Sequence, residues 1–377
     1  MRKTPSILVG IVLLLLALGI VMLASASSVK GTDAHTDAQY FLKRQLAWMA
    51  VSLLLSALAA GVNYRRWQEF WIPLAILSAT LLVLVLVPHV GAKIGGSRRW
   101  LRIGPVSFQP SELAKFGTVV MLAAWMSRVG RKAGQLLEGV AKPGLALAVI
   151  SGLIFFEPDF GTTILVATVG LALLYAGGAN PRVLLVVSVL GFAGFAVAVL
   201  HDPVRMGRVL AFLMPEKYPA AAYQMHQSMD AFTIGGVGGL GLGKSIQKHY
   251  FLPEAHTDFI QAIVGEELGL TASCLVVLLF GGFLACGMRI SLQAPDLFGR
   301  LLGTGLTLMT TVQAAINVGV VTGCLPTKGL PLPFISYGGS SLMMSLVSVG
   351  VLLNIARHGV ADDAAPHHAV KDRARWF

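Results

Sequence analysis

The chain has 377 residues, 55% of them hydrophobic and only 12% charged, with a formal net charge of +11. A mean hydropathy of +0.73 excludes a water-soluble domain of this size, and the basic excess is read against membranes and anionic ligands rather than nucleic acid. The three cysteines, Cys274, Cys286 and Cys324, form no CxxC pair and no disulfide framework, so they point to no thiolate metal site.

Runs of about 20 apolar residues can cross a bilayer as helices, and backbone groups in lipid must be satisfied internally. Ten such runs are read, at 6–26, 45–62, 71–88, 110–127, 143–157, 162–178, 182–200, 259–288, 300–322 and 337–356. The expected fold class is all-α: a polytopic integral membrane protein of about ten transmembrane helices. One membrane domain is expected over 1–357, with a large outer loop (about 201–258) between helices seven and eight. Residues 358–377 read as a short, poorly ordered tail in which His367 and His368 are solvated.

The first run follows Met1-Arg2-Lys3 and ends at Ala24-Ser25-Ala26, which imitates a signal peptide with its cleavage site. The apolar stretch from Ile7 to Leu23 is longer than a usual signal core and further helices follow, so a retained first helix is expected.

Further along, "RIGPVSFQPSELAKF" (Arg102–Phe116) ends a loop and starts a helix. Pro110 suits the first turn and Glu112 the positive end of the helix dipole. Lys115, one turn deeper, is costly in a membrane unless paired, and its i, i+3 spacing from Glu112 permits a pair. "FFEPDFGTT" (Phe155–Thr163) joins two helices with almost no loop. Asp159 there either caps the following helix or serves a site, and the residues alone leave both open.

The long loop contains "GGVGGLGLGKS" (235–245). It follows no strand and lacks Walker spacing, so its glycines read as turn formers rather than a nucleotide site. Next comes "FLPEAHTDFIQAIVGEELGL" (Phe251–Leu270), dense in ionisable groups at a membrane edge. If helical, Glu254, Asp258 and Glu266 share one face. Asp258 lies where polar loop meets apolar run, which is how a carboxylate is tuned into a general base; a structural ion pair is the other reading. Gln313 and Asn317, spaced i, i+4, place polar groups inward. They precede "LPTKGLPLPFISYGGSS" (Leu325–Ser341), whose prolines forbid regular helix and which must be buried or line a cavity.

Ten helices put both ends on one face. If that face is cytoplasmic, 15 basic residues lie inside and 13 outside, or 8 outside once the long loop is set aside. Both termini are therefore expected in the cytoplasm. The outer segments Lys93–Arg102 and Arg205–Lys248 stay basic against that bias, and they suit either anionic lipid headgroups or a phosphate-bearing ligand.

These motifs together ("GGSRRWLRIGPVSFQPSELAKF", "EPDFGTT", "FLPEAHTDFI", "GEELG" and "LPTKGLPLPFISYGGSS") resemble the SEDS family of shape, elongation, division and sporulation proteins, over roughly 7–357. The last motif and "LPEAHTDF" favour its cell-division branch. The resemblance implies a peptidoglycan glycosyltransferase that polymerises lipid II at the outer face of the bacterial cytoplasmic membrane, at the division septum. It also implies a class B penicillin-binding protein and other divisome membrane proteins as partners. Its "HTDF" aspartate is Asp258, the catalytic position, with Glu112, Lys115 and Asp159 in support. The substrate-binding set is Arg98, Arg99, Arg102, Arg205, Arg208, Lys248 and His256, with a divalent cation such as Mg or Mn as a further source of positive charge. Two other readings stand beside it: a lipid II flippase, which the lack of an inverted repeat disfavours, and a non-catalytic scaffold, which leaves the outer acids and bases idle.

Overall fold

Each of the ten apolar runs lies on a helix in the computed structural model, which describes residues 3–94, 97–104, 106–249 and 251–364. In chain order the helices are α1 (Lys3–Ala26), α2 (Ser28–His35), α3 (Tyr40–Gly61), α4 (Arg65–Glu69), α5 (Trp71–Leu86), α6 (Pro110–Val129) and α7 (Lys142–Phe156). They continue with α8 (Phe160–Ala176), α9 (Pro181–Leu200), α10 (Pro203–Leu213), α11 (Pro219–Gly235), α12 (Ile260–Leu292), α13 (Leu297–Val321) and α14 (Gly339–Ala364). Among the described residues, seven helical segments are long and apolar enough to cross a membrane: α1, α3, α7 with the turn before it, α9, α12, α13 and α14. Helices α5 and α8 are apolar but shorter. The chain is a helical, multi-pass membrane protein. Helix α14 continues to Ala364, past the expected start of the tail, and His367 and His368 lie outside the described residues.

Helix starts are written locally. The side chains of Asp159, Asn180, Asp202 and Asp296 accept backbone N–H groups at the heads of α8, α9, α10 and α13, and Pro110, Pro181 and Pro203 occupy first turns. In the packed core α14 runs along α3, α12 lies between α1 and α13, and α6 sits against α5, α8 and α13. Helix α9 stands apart: Leu184 is its one buried residue, and Phe192 is 74% exposed. An apolar helix this bare presents its surface to lipid.

The all-α class holds, and the basic outer segment adds to it a small antiparallel sheet, β1 (Gly91–Ile94), β2 (Ser97–Ile103) and β3 (Val106–Phe108), in sequence order. "SRRWLRI" shows no period-two alternation, yet β2 pairs with β1 on one side and, through Leu101 and Phe108, with β3 on the other, so the basic loop of the sequence reading becomes a three-stranded ribbon. One expectation needs correction: Glu254, Asp258 and Glu266 do not share a helical face. Glu254 has φ 57°, residues 251–259 form turns, and α12 begins only at Ile260.

Helix α12 is itself broken at Gly269, with φ 78° and ψ −177°. Leu240 and Gly241 donate backbone N–H to the carbonyls of Glu266 and Glu267, and Leu270 N–H returns to Gly236 O. A Cβ at Gly269 would lie 2.3 Å from Val237 O, so only glycine admits this close crossing. The break therefore ties the glycine-rich stretch of the long loop to α12.

Candidate active site

The N-terminal ends of α6, α8, α12 and α14 meet the proline-rich segment 325–338 around a cavity of about 450 Å³. Asp258 lines it, with Arg99, Glu112, Asp159, Arg208, Glu254 and Lys328. Thus residues from the sheet, four helix starts, α10 and two loops converge on one polar space.

The backbone of Asp258 is braced from α13. Asn317 Nδ2 donates to Asp258 O and to Leu330 O, both at 2.7 Å. One turn earlier, Gln313 Nε2 donates to Pro331 O at 2.7 Å, while its Oε1 accepts from Lys115 Nζ at 2.7 Å. Lys115 Nζ in turn pairs with Glu112 Oε2 at 2.8 Å, both side chains nearly fully buried. The expected i, i+3 pair thus exists and reaches, through Gln313, the segment packed beside Asp258. The carboxylate itself makes no hydrogen bond or ion pair among the described residues. Burial, then the charges of Glu254 and Asp159, push its pKa up to about 7, against the pull of Arg99 and Arg208. A carboxylate titrating near neutrality and open to a cavity can accept a proton there.

Asp159 caps α8, and it also faces the cavity. Its Oδ1 accepts from Thr162 N at 3.1 Å and its Oδ2 from Thr162 Oγ1 at 2.9 Å. Next to it, Glu157 is fully buried with neither carboxylate oxygen hydrogen-bonded among the described residues. Burial and the charge of Asp159 raise its pKa to about 9, so it is held neutral.

The expected substrate-binding set divides. Arg99 and Arg208 line the cavity, but Arg99 also donates Nε to Glu157 O at 2.9 Å and Nη2 to Pro158 O, which fixes the α7–α8 turn. Arg98 and Arg102 do not line it. Arg205 pairs with Asp202 at 2.7 Å and lies over the rings of Phe155 and Phe160. Lys248 is not placed for a substrate: its buried amine is bound to Glu267 Oε1 at 3.0 Å, Ser25 Oγ at 3.0 Å and Gly243 O at 2.6 Å. His256 packs among Phe41 and Tyr337, with ring centroids at 4.9 and 5.9 Å, and burial followed by the Lys30 charge lowers its pKa to about 4. It buttresses the loop as a neutral ring. Lys328, outside the expected substrate-binding set, is a cavity residue; its place inside "LPTKGLPLPF" was the available signal.

A second cavity of about 420 Å³ adjoins the first and is lined almost wholly by apolar side chains of α9 and α10, with residues 326–328. The two share Phe160, Arg208, Thr327 and Lys328. Among the described residues no three His, Cys, Asp or Glu side chains are grouped to hold a metal ion.

The family of cell cycle proteins that takes in FtsW, RodA and SpoVE matches residues 5–360 of the chain. A relative from Trichlorobacter lovleyi, named probable peptidoglycan glycosyltransferase FtsW, is 39% identical over 351 residues, 93% of this chain and 92% of its own. Stage V sporulation protein E of Bacillus subtilis is 40% identical over 361 residues, 95% of this chain and 98% of its own. A solved structure described as "Structural coordination of polymerization and crosslinking by a peptidoglycan synthase complex" superposes with a TM-score of 0.78 at 32% identity, covering 93% of this chain and 97% of that one.

Proposed function

The chain belongs to the FtsW, RodA and SpoVE family of cell cycle proteins, and we propose that it is a peptidoglycan glycosyltransferase that polymerises lipid II into glycan strands during septal wall synthesis. The orientation that goes with this reading has both termini in the cytoplasm and the Asp258 cavity at the outer face of the inner membrane. A class B penicillin-binding protein and other divisome membrane proteins are its partners in this reading. The observation that carries it is the site's division into two parts: a polar cavity holding an unpaired Asp258 carboxylate, joined to an apolar pocket facing α9. Lipid II is itself divided in this way, into sugars, diphosphate and a long prenyl chain.

In the proposed reaction Asp258 takes the proton of the acceptor sugar hydroxyl. The freed oxygen attacks the anomeric carbon of the donor from the face opposite its diphosphate. The new C–O bond forms as the bond to the diphosphate oxygen breaks, configuration inverts, and undecaprenyl diphosphate leaves with the electron pair. Fixed cations near that oxygen stabilise the charge that develops on it. The braces from Asn317, Gln313 and the Lys115–Glu112 pair hold the base in place while its carboxylate stays free. Among the described residues no three His, Cys, Asp or Glu side chains are grouped, so a divalent cation such as Mg or Mn would be held by one or two cavity carboxylates together with the diphosphate, where it would supply positive charge.

The test is Asp258→Asn, which keeps the shape and removes the base. Purified protein is given lipid II in detergent, where no membrane need be crossed, with a partner lacking its transpeptidase serine and any glycosyltransferase domain. A general base contributes about 10²–10⁴ in rate, so glycan should fall to or below detection while lipid II and the partner still bind. Glycan made at the wild-type rate by the Asn variant would remove Asp258 from the mechanism.

A further inference from the structure

Four helices begin at the polar cavity, and three of them bring an acid to their own positive end. Glu112 lies in the first turn of α6, Asp159 caps α8, and Asp258 stands two residues before α12. Helix α14 brings none: its first turn holds no acidic residue, and Gly338, Ser340 and Ser341 line the cavity there. Gly338 occupies the cap position, since its carbonyl accepts the first helical N–H, from Leu342. Having no side chain, it leaves the N–H groups of the first turn uncapped. The Ser340 hydroxyl points the same way. Ser340 is 1% exposed, and its Oγ has no hydrogen-bond partner among the described residues. A buried hydroxyl without a partner is costly, so an acceptor brought in from the cavity is favoured. The start of α14 is also held in place. Gln45 of α3 donates Nε2 to Ser336 O at 3.2 Å and accepts from Gly338 N at 3.3 Å, while Tyr337 N donates to His256 O at 3.0 Å. Trp48, one turn further along α3, lies against Gly339, where a Cβ would come within 2.2 Å of its ring. The donors at the cavity wall are therefore preorganised.

These donors carry no formal charge, which decides what they suit. A phosphate or carboxylate would be drawn to the cations of the cavity wall, Arg99, Arg208 and Lys328, and repelled by Glu112 and Asp258, which line the same space as the start of α14. A neutral carbonyl oxygen accepts from a hydroxyl and a helix N–H without meeting that repulsion. In a peptidoglycan precursor the neutral carbonyls fixed close to the reacting carbons are the acetamido groups, one on each sugar. We propose that the start of α14, with Ser340 as its side-chain donor, binds the acetamido carbonyl of the N-acetylglucosamine whose hydroxyl Asp258 deprotonates, and so makes the site selective for N-acetylated sugars. The assignment rests on the glycosyltransferase reading and adds to it a specificity contact on the acceptor. A sugar with a free amine offers no acceptor at that point, and as an ammonium it is repelled by the positive end of α14.

The experiment measures equilibrium binding to the full chain in detergent for lipid II and two analogues, one with a free amine on the glucosamine ring and one with a free amine on the muramyl ring. The same three are then compared in kcat/KM with the partner present. Wild type should prefer lipid II to the glucosamine analogue by about tenfold. A neutral hydrogen bond is worth about two- to tenfold, so Ser340→Ala should lose that much of the preference while binding the free-amine analogue as wild type does. Its melting temperature should not fall, because the hydroxyl holds nothing within the protein. Ser111→Ala removes an equally buried, unpartnered hydroxyl at the start of α6, which does not line the cavity, and should leave the preference alone. A preference undiminished in Ser340→Ala would overturn the proposal, and a lowered melting temperature beside it would make Ser340 a packing residue of α14. A Ser340-dependent loss seen only with the muramyl analogue would also overturn it, by moving the contact to the other sugar. Failure of the glycosyltransferase reading looks different: the Ser340-dependent preference would persist in binding while wild type makes no glycan with its partner.

Discussion

Gly329→Ala should disable the site without disturbing the fold. Gly329 lines the cavity, and a Cβ built on it would lie 2.8 Å from Asp258 Oδ2 and 3.6 Å from its Cγ, with nothing else within 4 Å. Its φ is not in the left-handed range, so alanine meets no backbone penalty. Among the described residues the only group that must yield is the Asp258 carboxylate, which has no hydrogen bond there to hold it. Ordinary contact begins near 3.4 Å, so the oxygen must withdraw by about 0.6 Å. Misplacing a reacting group by about 1 Å can cost about a hundredfold, so turnover should fall roughly ten- to a hundredfold, or about 1.4–2.7 kcal/mol in barrier. The added methyl also takes water from the carboxylate, so the acid limb of the pH profile should move upward. Lipid II polymerisation in detergent reads the rate, and thermal unfolding with lipid II binding reads the fold; the last two should match wild type. Gly329→Ala working within twofold of wild type, with an unmoved acid limb, would refute the placement of Asp258 as the base.

The wild-type rate should itself show an acid limb with an apparent pKa of about 7: Asp258 must be ionised to accept a proton, so activity is present above that pH and lost as pH falls through it. Arg208 is one of the charges that lower this value, so Arg208→Gln should move the limb to higher pH; a downward move would contradict the electrostatics. Lys115→Met should lower stability by about 3–5 kcal/mol by leaving Glu112 buried without its counter-ion, and Glu112→Gln added to it should recover most of that. Thermal unfolding of the single and double variants decides this, and equal losses would show the pair to be uncoupled. Lys248→Met should likewise lower the melting temperature through Glu267 yet leave KM for lipid II unchanged; the reverse pattern would return Lys248 to the substrate.

What could be read from the chain follows from the range of the forces involved. Membrane helices announce themselves because lipid demands about 20 apolar residues in a row, and a carboxylate at the end of such a run, as at Asp258, is costly enough to be conspicuous. The small sheet was missed because its three strands are short and "SRRWLRI" carries no alternation; only the pairing of Leu101 with Phe108 makes it a strand. The expected substrate cations were harder for a different reason. Sequence shows where positive charge lies along the chain; it does not show which charge the fold has already matched. Lys248 looked available until the break at Gly269 and the ties from residues 240–241 placed its amine against Glu267. Lys328 looked like one more loop lysine until the proline-rich segment carried it to the edge of the Asp258 cavity. The same segment brings Gly329 against the carboxylate, and Gln313 and Asn317 hold it there through Pro331 and Leu330. A motif too proline-rich to be a helix is therefore what assembles the site: free of helical geometry, it can place a cation, a gap and two carbonyl anchors around one acid.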